Sequence, residues 1–290
     1  MRYSVIIPYK DIVDLVVRAV QSVPDRPDIE VIIINNGTTE LPASLFAGRH
    51  NVQVLWDAIG KGAGAARNVG LEYAKGEWLL MLDADDLFTE NAFEIMDKQA
   101  DNEADIVFFK MSSCYSDTME PANRDTQFNE LMDRYLEHQD EGALRYEWAA
   151  PTGKMIRRSI VEEYNIRFDE TQAANDVTFS LLTGYYAKNI KGYKDTLYCI
   201  TVRNESLTST PSLRHLNDRI EVSIRFNRFV RAHGLARYQK SIMYHVRMIA
   251  RNYGLGEAMK TIWRSIQAGN NPLIGISRWA KTAQKIRQHD

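Results

Sequence analysis

Cysteine is nearly absent from this 290-residue sequence: Cys114 and Cys199 are the only two. Two cysteines so far apart rule out a disulfide scaffold, argue against a structural zinc site and suit a reducing cytoplasm. Long apolar runs are missing too. None approaches the ~18–20 residues that a bilayer-spanning helix needs. The opening "MRYSVIIPYKD" has too short an apolar core, and no small-residue cleavage site, to be expected as a secretory signal. Internal repeats and low-complexity tracts are lacking. With 44% hydrophobic and 26% charged residues, what remains is an ordinary globular composition.

The formal total of −2 shows no large excess of either charge. That balance hides an asymmetry. Residues 211–290 hold 15 Lys and Arg against 4 Asp and Glu, a net of +11, which leaves −13 for the first 210 residues. One end of the chain should seek anionic surfaces, and the other should hold cations.

What is present begins with short runs rich in Val, Ile and Leu: "SVIIP" (4–8), "IEVIIINN" (29–36), "VQVLW" (52–56) and "EWLLML" (77–82). Continuous apolar runs of this length predict strands buried on both faces, as in a parallel sheet. Between them, "DIVDLVVRAVQS" carries a helical apolar stripe, and a second helix is expected from about Ala65 to Lys75 with Gly76 past its end. Thr89 is placed to cap the helix "ENAFEIMDKQ". The alternation predicts an open α/β sheet. Residues 113–150 read as a loop and an amphipathic helix inserted at the sheet's edge. "PTGKMIRRSIVEEYNIRFDE" reads as helical, "TLYCITV" as a strand, and the chain from about Leu213 as helical.

Polar clusters close three of the strands: "PYKD" (8–11), "NNGTTE" (35–40) and "DADD" (83–86). In doubly wound sheets, ligands sit at the carboxyl ends of the strands near the switch point. Each cluster alone could be a turn; three along one edge suggest a site. On an extended chain Asp83 and Asp85 would point together while Asp86 turns away to close the turn. Paired carboxylates suit a hard divalent cation that also takes substrate phosphates. A solvated turn satisfies the same spacing. "GKGAGAARNVG" (60–70) offers small residues, a helix start and Arg67 to phosphate, or simply tight helix packing.

"SVIIPYKD", "IIINNGTTE", "GAARNVGLEYAKGEWLLMLDADD", "IRFDE…ND" and "RNESLT", in this order over roughly the first 210 residues, resemble the family-two glycosyltransferases of the GT-A fold. The resemblance implies transfer of a sugar from a nucleotide-sugar donor to an acceptor hydroxyl, with inversion and with Mn2+ or Mg2+ as cofactor. It implies nucleotide contacts at Pro8, Tyr9 and Asp11, and base recognition at Asn36. It also implies a nucleotide-pocket wall at Gly62 and Arg67, and ribose and metal-water contacts at Asp83 and the adjoining Ala84. Asp85 would be the direct metal ligand and Asp176 the base that deprotonates the acceptor. Arg203, with nearby Ser206, would belong to a loop over the diphosphate, and His215 is a candidate third metal ligand. Two departures stand out: Asn35-Asn36 replaces an acidic pair, and Asn175 precedes Asp176. A UDP-sugar is favoured, because an Asn carbonyl can still accept from a pyrimidine N3–H.

The expected organisation is a nucleotide-sugar half (1–112), an acceptor half of the same domain (113–210) and a basic helical region (211–290). Basic helices with aromatic residues suit an anionic membrane surface and a lipid-linked or glycan acceptor of the kind used for bacterial surface polysaccharide. The same helices could instead pack on the acidic core. The protein is expected in the cytoplasm, on the first of these readings at the inner face of the membrane. Nucleic acid is excluded as a partner by the lack of a recognition module. Two alternatives stay open. A sugar-nucleotide pyrophosphorylase would want a Gly-rich loop where "PYKD" stands. A non-catalytic sugar-binding protein would not need Arg67, Asp83, Asp85 and Asp176 together.

Overall fold

The computed structural model describes residues 1–56, 62–203 and 211–274. The predicted apolar runs form β1 (Tyr3–Tyr9), β2 (Ile29–Asn35), β3 (Val52–Trp56) and β4 (Trp78–Met81), all parallel, in the order β3-β2-β1-β4. Val5 of β1 stands opposite Val31 on one side and Leu80 on the other. Tyr3 to Ile7 are buried without interruption. This is why β1 shows no apolar–polar alternation: helices α1 (Val13–Gln21) and α2 (Ala63–Tyr73) accompany a sheet wetted on neither face.

Beyond β4 the sheet becomes mixed. Its order continues through β7 (Lys154–Arg157), β6 (Ile106–Tyr115) and β8 (Ile190–Val202) to β5 (Leu87–Phe88). β7 is antiparallel to both β4 and β6, whereas β6 and β8 run parallel. The "KMIR" stretch, expected to be helical, is therefore an interior strand, and only the short α5 (Arg158–Glu163) follows it. Four residues are too few to show a period, and pairing on both sides decides the outcome. Cys114 and Cys199 meet across β6 and β8 as free thiols, with their sulfurs 3.2 Å apart.

Three further expectations change. Helix α4 (Thr126–His138) is not an insertion at an edge but covers the interior strand β6. Its Asn129 side chain accepts from the Met111 N–H at 3.0 Å and donates to the Met111 carbonyl at 2.9 Å. Gly76 does not cap α2. It lies against β1, where a Cβ would come within 2.4 Å of the Ser4 nitrogen. Thr89 does not cap α3 (Ala92–Gln99) through its side chain, which donates instead to the Thr196 carbonyl in β8.

Residues 1–170 and 178–209 form one compact unit; 171–177 and the chain from 210 onward form a second. Between them the first unit includes most of α6 (Val177–Tyr186). In the second, α7 (Leu213–Ala232), α8 (Met243–Tyr253) and α9 (Leu255–Gln267) enclose Leu216, Ile220, Ile242, Val246, Ile249 and Ala258. Asp218 of α7 accepts the Gln172 N–H at 3.0 Å and ties 171–177 to the helices. A buried polar set joins the ends: the Asn227 amide donates to the Lys240 carbonyl and to Asn270, which donates to Ser265. Among the described residues, no helix is long and apolar enough to cross a membrane.

Candidate active site

β1 lies between β2 and β4, so its carboxyl end is the switch point of the parallel half. Pro8 sits at that end. The β1–β4 ladder closes with the Leu82 N–H donating to the Ile6 carbonyl, and two residues further on Pro8 has no donor to offer β4. The two strands part there, and "PYKD" and "DADD" line the opening.

The acidic cluster is a tight turn rather than an extended segment, for the Asp86 N–H donates to the Asp83 carbonyl at 3.0 Å. The turn separates its carboxylates by environment. Asp86 points inward and is buried, accepting from the Tyr198 hydroxyl and from the Thr201 N–H, both at 2.7 Å. Burial, then the charges of Asp83 and Asp85, hold its carboxyl well above the usual range. The Tyr198 hydroxyl also accepts the Asp83 N–H at 3.1 Å. The Asp85 carbonyl takes Thr201 Oγ1 at 2.6 Å and Arg18 Nη2, from α1, at 3.1 Å. Strand β8 and helix α1 thus clamp the backbone of the turn. The inward anchor of Asp86 was not legible beforehand, because its partners lie 112 and 115 positions away.

With the backbone fixed, the other two carboxylates face guanidinium groups. Asp83 pairs with Arg67 of α2 at 2.5 Å, and Asp85 with Arg203 at 3.2 Å, just past β8. Arg67 is itself buried and lies 5.4 Å from the centre of the Phe168 ring. That ring is held from behind. Phe179 stacks on it at 3.9 Å, and Asn68 bonds both the N–H and the carbonyl of Phe168. The "IRFDE" segment therefore serves as a backing for the Arg67–Asp83 pair. Burial first, and then Asp83, raise the Asp85 carboxyl above its ordinary range, with Arg203 opposing.

On the β2 side, Asp11 has a left-handed backbone (φ 53°), and its carboxylate accepts the N–H groups of Thr38 and Thr39, each at 3.0 Å. Those bonds, that of Thr39 foremost, hold it below the usual carboxylate range. Gly37 is required at this contact, since a Cβ there would stand 2.4 Å from Asp11 Oδ1. Asn36 donates its amide to the Gly62 carbonyl at 3.0 Å, where Gly62 (φ 102°) starts α2. An aspartate could not make that bond, so the replacement of the acidic residue has a local structural use. Tyr9 is fully buried, and its hydroxyl has no hydrogen-bond partner among the described residues.

Pro8, Tyr9, Asp11, Asn36, Gly62, Arg67, Asp83, Ala84, Asp85 and Arg203 thus belong to one unit and gather where β1, β2, β4 and β8 end. Asp176 and His215 belong to the other unit: Asp176 directly precedes α6, and His215 lies in the first turn of α7, donating its N–H to the capping Ser212. Ser206 lies outside the described residues. For a divalent cation, Asp83 and Asp85 supply hard oxygen donors in a partly buried setting. Among the described residues no group of three or more His, Cys, Asp or Glu could hold a metal alone. Two carboxylates fit an ion that completes its shell with water and phosphate.

Residues 4–165 match the family model described as Glycosyl transferase family 2. The chain belongs to that family. That membership favours the glycosyltransferase reading over the pyrophosphorylase alternative. Over 190 residues it is 27% identical to EpsH of Bacillus subtilis, covering 62% of this chain but only 54% of EpsH. Over 92 residues it is 29% identical to the succinoglycan biosynthesis protein ExoO of Rhizobium meliloti, 30% of this chain and 26% of that protein. Among solved structures, residues 1–349 of TarS from S. aureus in complex with UDP-GlcNAc superimpose with a TM-score of 0.67 at 18% identity. That match covers 92% of this chain and 81% of the other. The fold is accordingly the α/β GT-A fold, with helices following the sheet.

Proposed function

We propose that this glycosyltransferase moves a sugar from a UDP-sugar to a hydroxyl of a glycan or lipid-linked acceptor in surface-polysaccharide synthesis, with inversion. The observation that carries the reading is the pair of outward carboxylates, Asp83 and Asp85, fixed at the end of β4 and each facing a guanidinium. A site that already matches opposite charges at close range is suited to a ligand with both, such as a cation-bound diphosphate. The complex of TarS with UDP-GlcNAc and the name of ExoO favour the donor class and the pathway.

In this reading Asn36, its amide spent on Gly62, offers its Oδ1 to the N3–H of uracil. Tyr9 offers a buried hydroxyl that a ligand would satisfy. Asp83 faces the ribose and Asp85 the metal. Arg67 keeps Asp83 oriented, and Arg203 exchanges Asp85 for a phosphate oxygen. Mn2+ or Mg2+, held by Asp85 with Asp83, would neutralise charge on the leaving diphosphate. Asp176 takes the acceptor's proton as the acceptor oxygen bonds the anomeric carbon and the bond to the diphosphate oxygen breaks on the opposite face. His215 is retained as a candidate additional ligand.

The test is donor hydrolysis and transfer across a nucleotide-sugar panel, with Mn2+ and with EDTA. Asp85→Asn and Asp176→Asn should each lower turnover at least ~100-fold while the protein stays folded. Full activity in EDTA would remove the metal from the mechanism. Near-normal turnover of either variant would remove that residue.

A further inference from the structure

Helix α9 is amphipathic with its apolar side turned outward. The residues it buries are small or polar: Ala258, Thr261 and Ser265. Apart from Ile262, which packs partly against the core, its large apolar residues are exposed: Leu255 (75% exposed), Met259 (63%), Trp263 (62%) and Ile266 (49%). Spaced by three and four positions, these four form one continuous stripe. A helix packed on a core usually has the opposite arrangement, and an outward stripe of this size marks a surface that meets something apolar.

The charges beside the stripe say what that is. Lys260 and Arg264 lie on the adjoining strip of α9, and Tyr244, Arg247 and Arg251 are exposed along α8. The one acidic residue of α9, Glu257, is already paired with Lys260 at 2.6 Å. Residues 211–274 hold 11 Lys and Arg against 3 Asp and Glu. A second copy of this chain would bring the same positive charge face to face, which costs association energy, whereas an anionic bilayer lowers it. Next to the stripe is a hollow of about 400 Å³ lined by Asn217, Glu257, Lys260, Trp263 and Arg264. It sets the Arg264 guanidinium, which donates to Asn217 Oδ1, and the Lys260 ammonium, paired with Glu257, beside an indole, so cationic groups lie at the boundary of the apolar stripe.

We propose that the Leu255–Met259–Trp263–Ile266 stripe, with Lys260 and Arg264, docks this protein in the plane of an anionic lipid surface. At 13 residues α9 is roughly 20 Å long, too short to span a bilayer and long enough to lie in its interface. The proposal goes beyond the transferase reading and does not depend on which sugar is moved.

The full-length protein is floated at low salt with phosphatidylcholine vesicles and with vesicles containing phosphatidylglycerol. Wild type should float with the anionic vesicles only, and release as salt rises. The triple variant Leu255→Ser, Met259→Ser, Trp263→Ser should partition at least ~10-fold more weakly, at unchanged helix content and donor hydrolysis. Lys260→Gln with Arg264→Gln should weaken it in the same direction. As a variant that keeps the apolar stripe, Trp263→Phe should still float but lose most of the fluorescence quenching given by brominated lipid. The proposal is overturned by no flotation at low salt or by equal flotation of the triple variant. It is equally overturned by a self-associated wild type that the triple variant dissociates without any lipid binding.

Discussion

Asp85 and Asp86 are adjacent in sequence and opposite in environment. One faces Arg203, and the other is buried against Tyr198 and Thr201. Residue type made the cluster visible as a candidate site and alternation set Asp86 apart from Asp83 and Asp85, but nothing local says what Asp86 turns toward. That depends on a strand more than a hundred positions later. Replacing Tyr198 with Phe removes a donor to a buried carboxylate and an acceptor from the Asp83 N–H, so stability should fall by about 1–3 kcal/mol. Urea unfolding should show a lower midpoint with an unchanged slope. His245 gives a second residue-scale expectation. Its Nδ1 is buried without a partner among the described residues, and burial, with Arg219, pushes the imidazole down to about 4. The unfolded chain, near 6.5, binds the proton first, so stability should decline as pH falls from about 6.5 to about 4, by at most about 3 kcal/mol. His245→Gln should flatten that stretch of a thermal-melt profile against pH.

At the scale of elements, the parallel half was readable because each of its strands is a continuous apolar run. β7 and β5 were not, being four and two residues long and defined only by their neighbours. The role of Gly76 is likewise set by a neighbouring strand. Gly76 was expected as a helix stop, yet its lack of a side chain serves the approach to β1. Gly76→Ala would press a methyl group on the Ser4 backbone, which cannot yield without moving a central strand. A loss of about 1–3 kcal/mol is expected by calorimetry. Gly48→Ala is the control. No atom lies within 4 Å of a Cβ there, so it should be near neutral.

For the molecule as a whole, the sequence showed a sheet followed by basic helices and a reversal of charge between them. It did not show that 171–177 cluster with those helices, since the bond from Gln172 to Asp218 spans 46 positions. The chain enters the helical unit at Thr171, leaves it at Thr178 and returns at 210. This interleaving bears on protein engineering. A chimaera spliced once near residue 210 would join one parent's 171–177, Asp176 included, to another parent's helices inside a single packed body. Exchanging the tail between relatives therefore takes three crossovers, at 170/171, 177/178 and 209/210, with the seven-residue segment travelling alongside its helices.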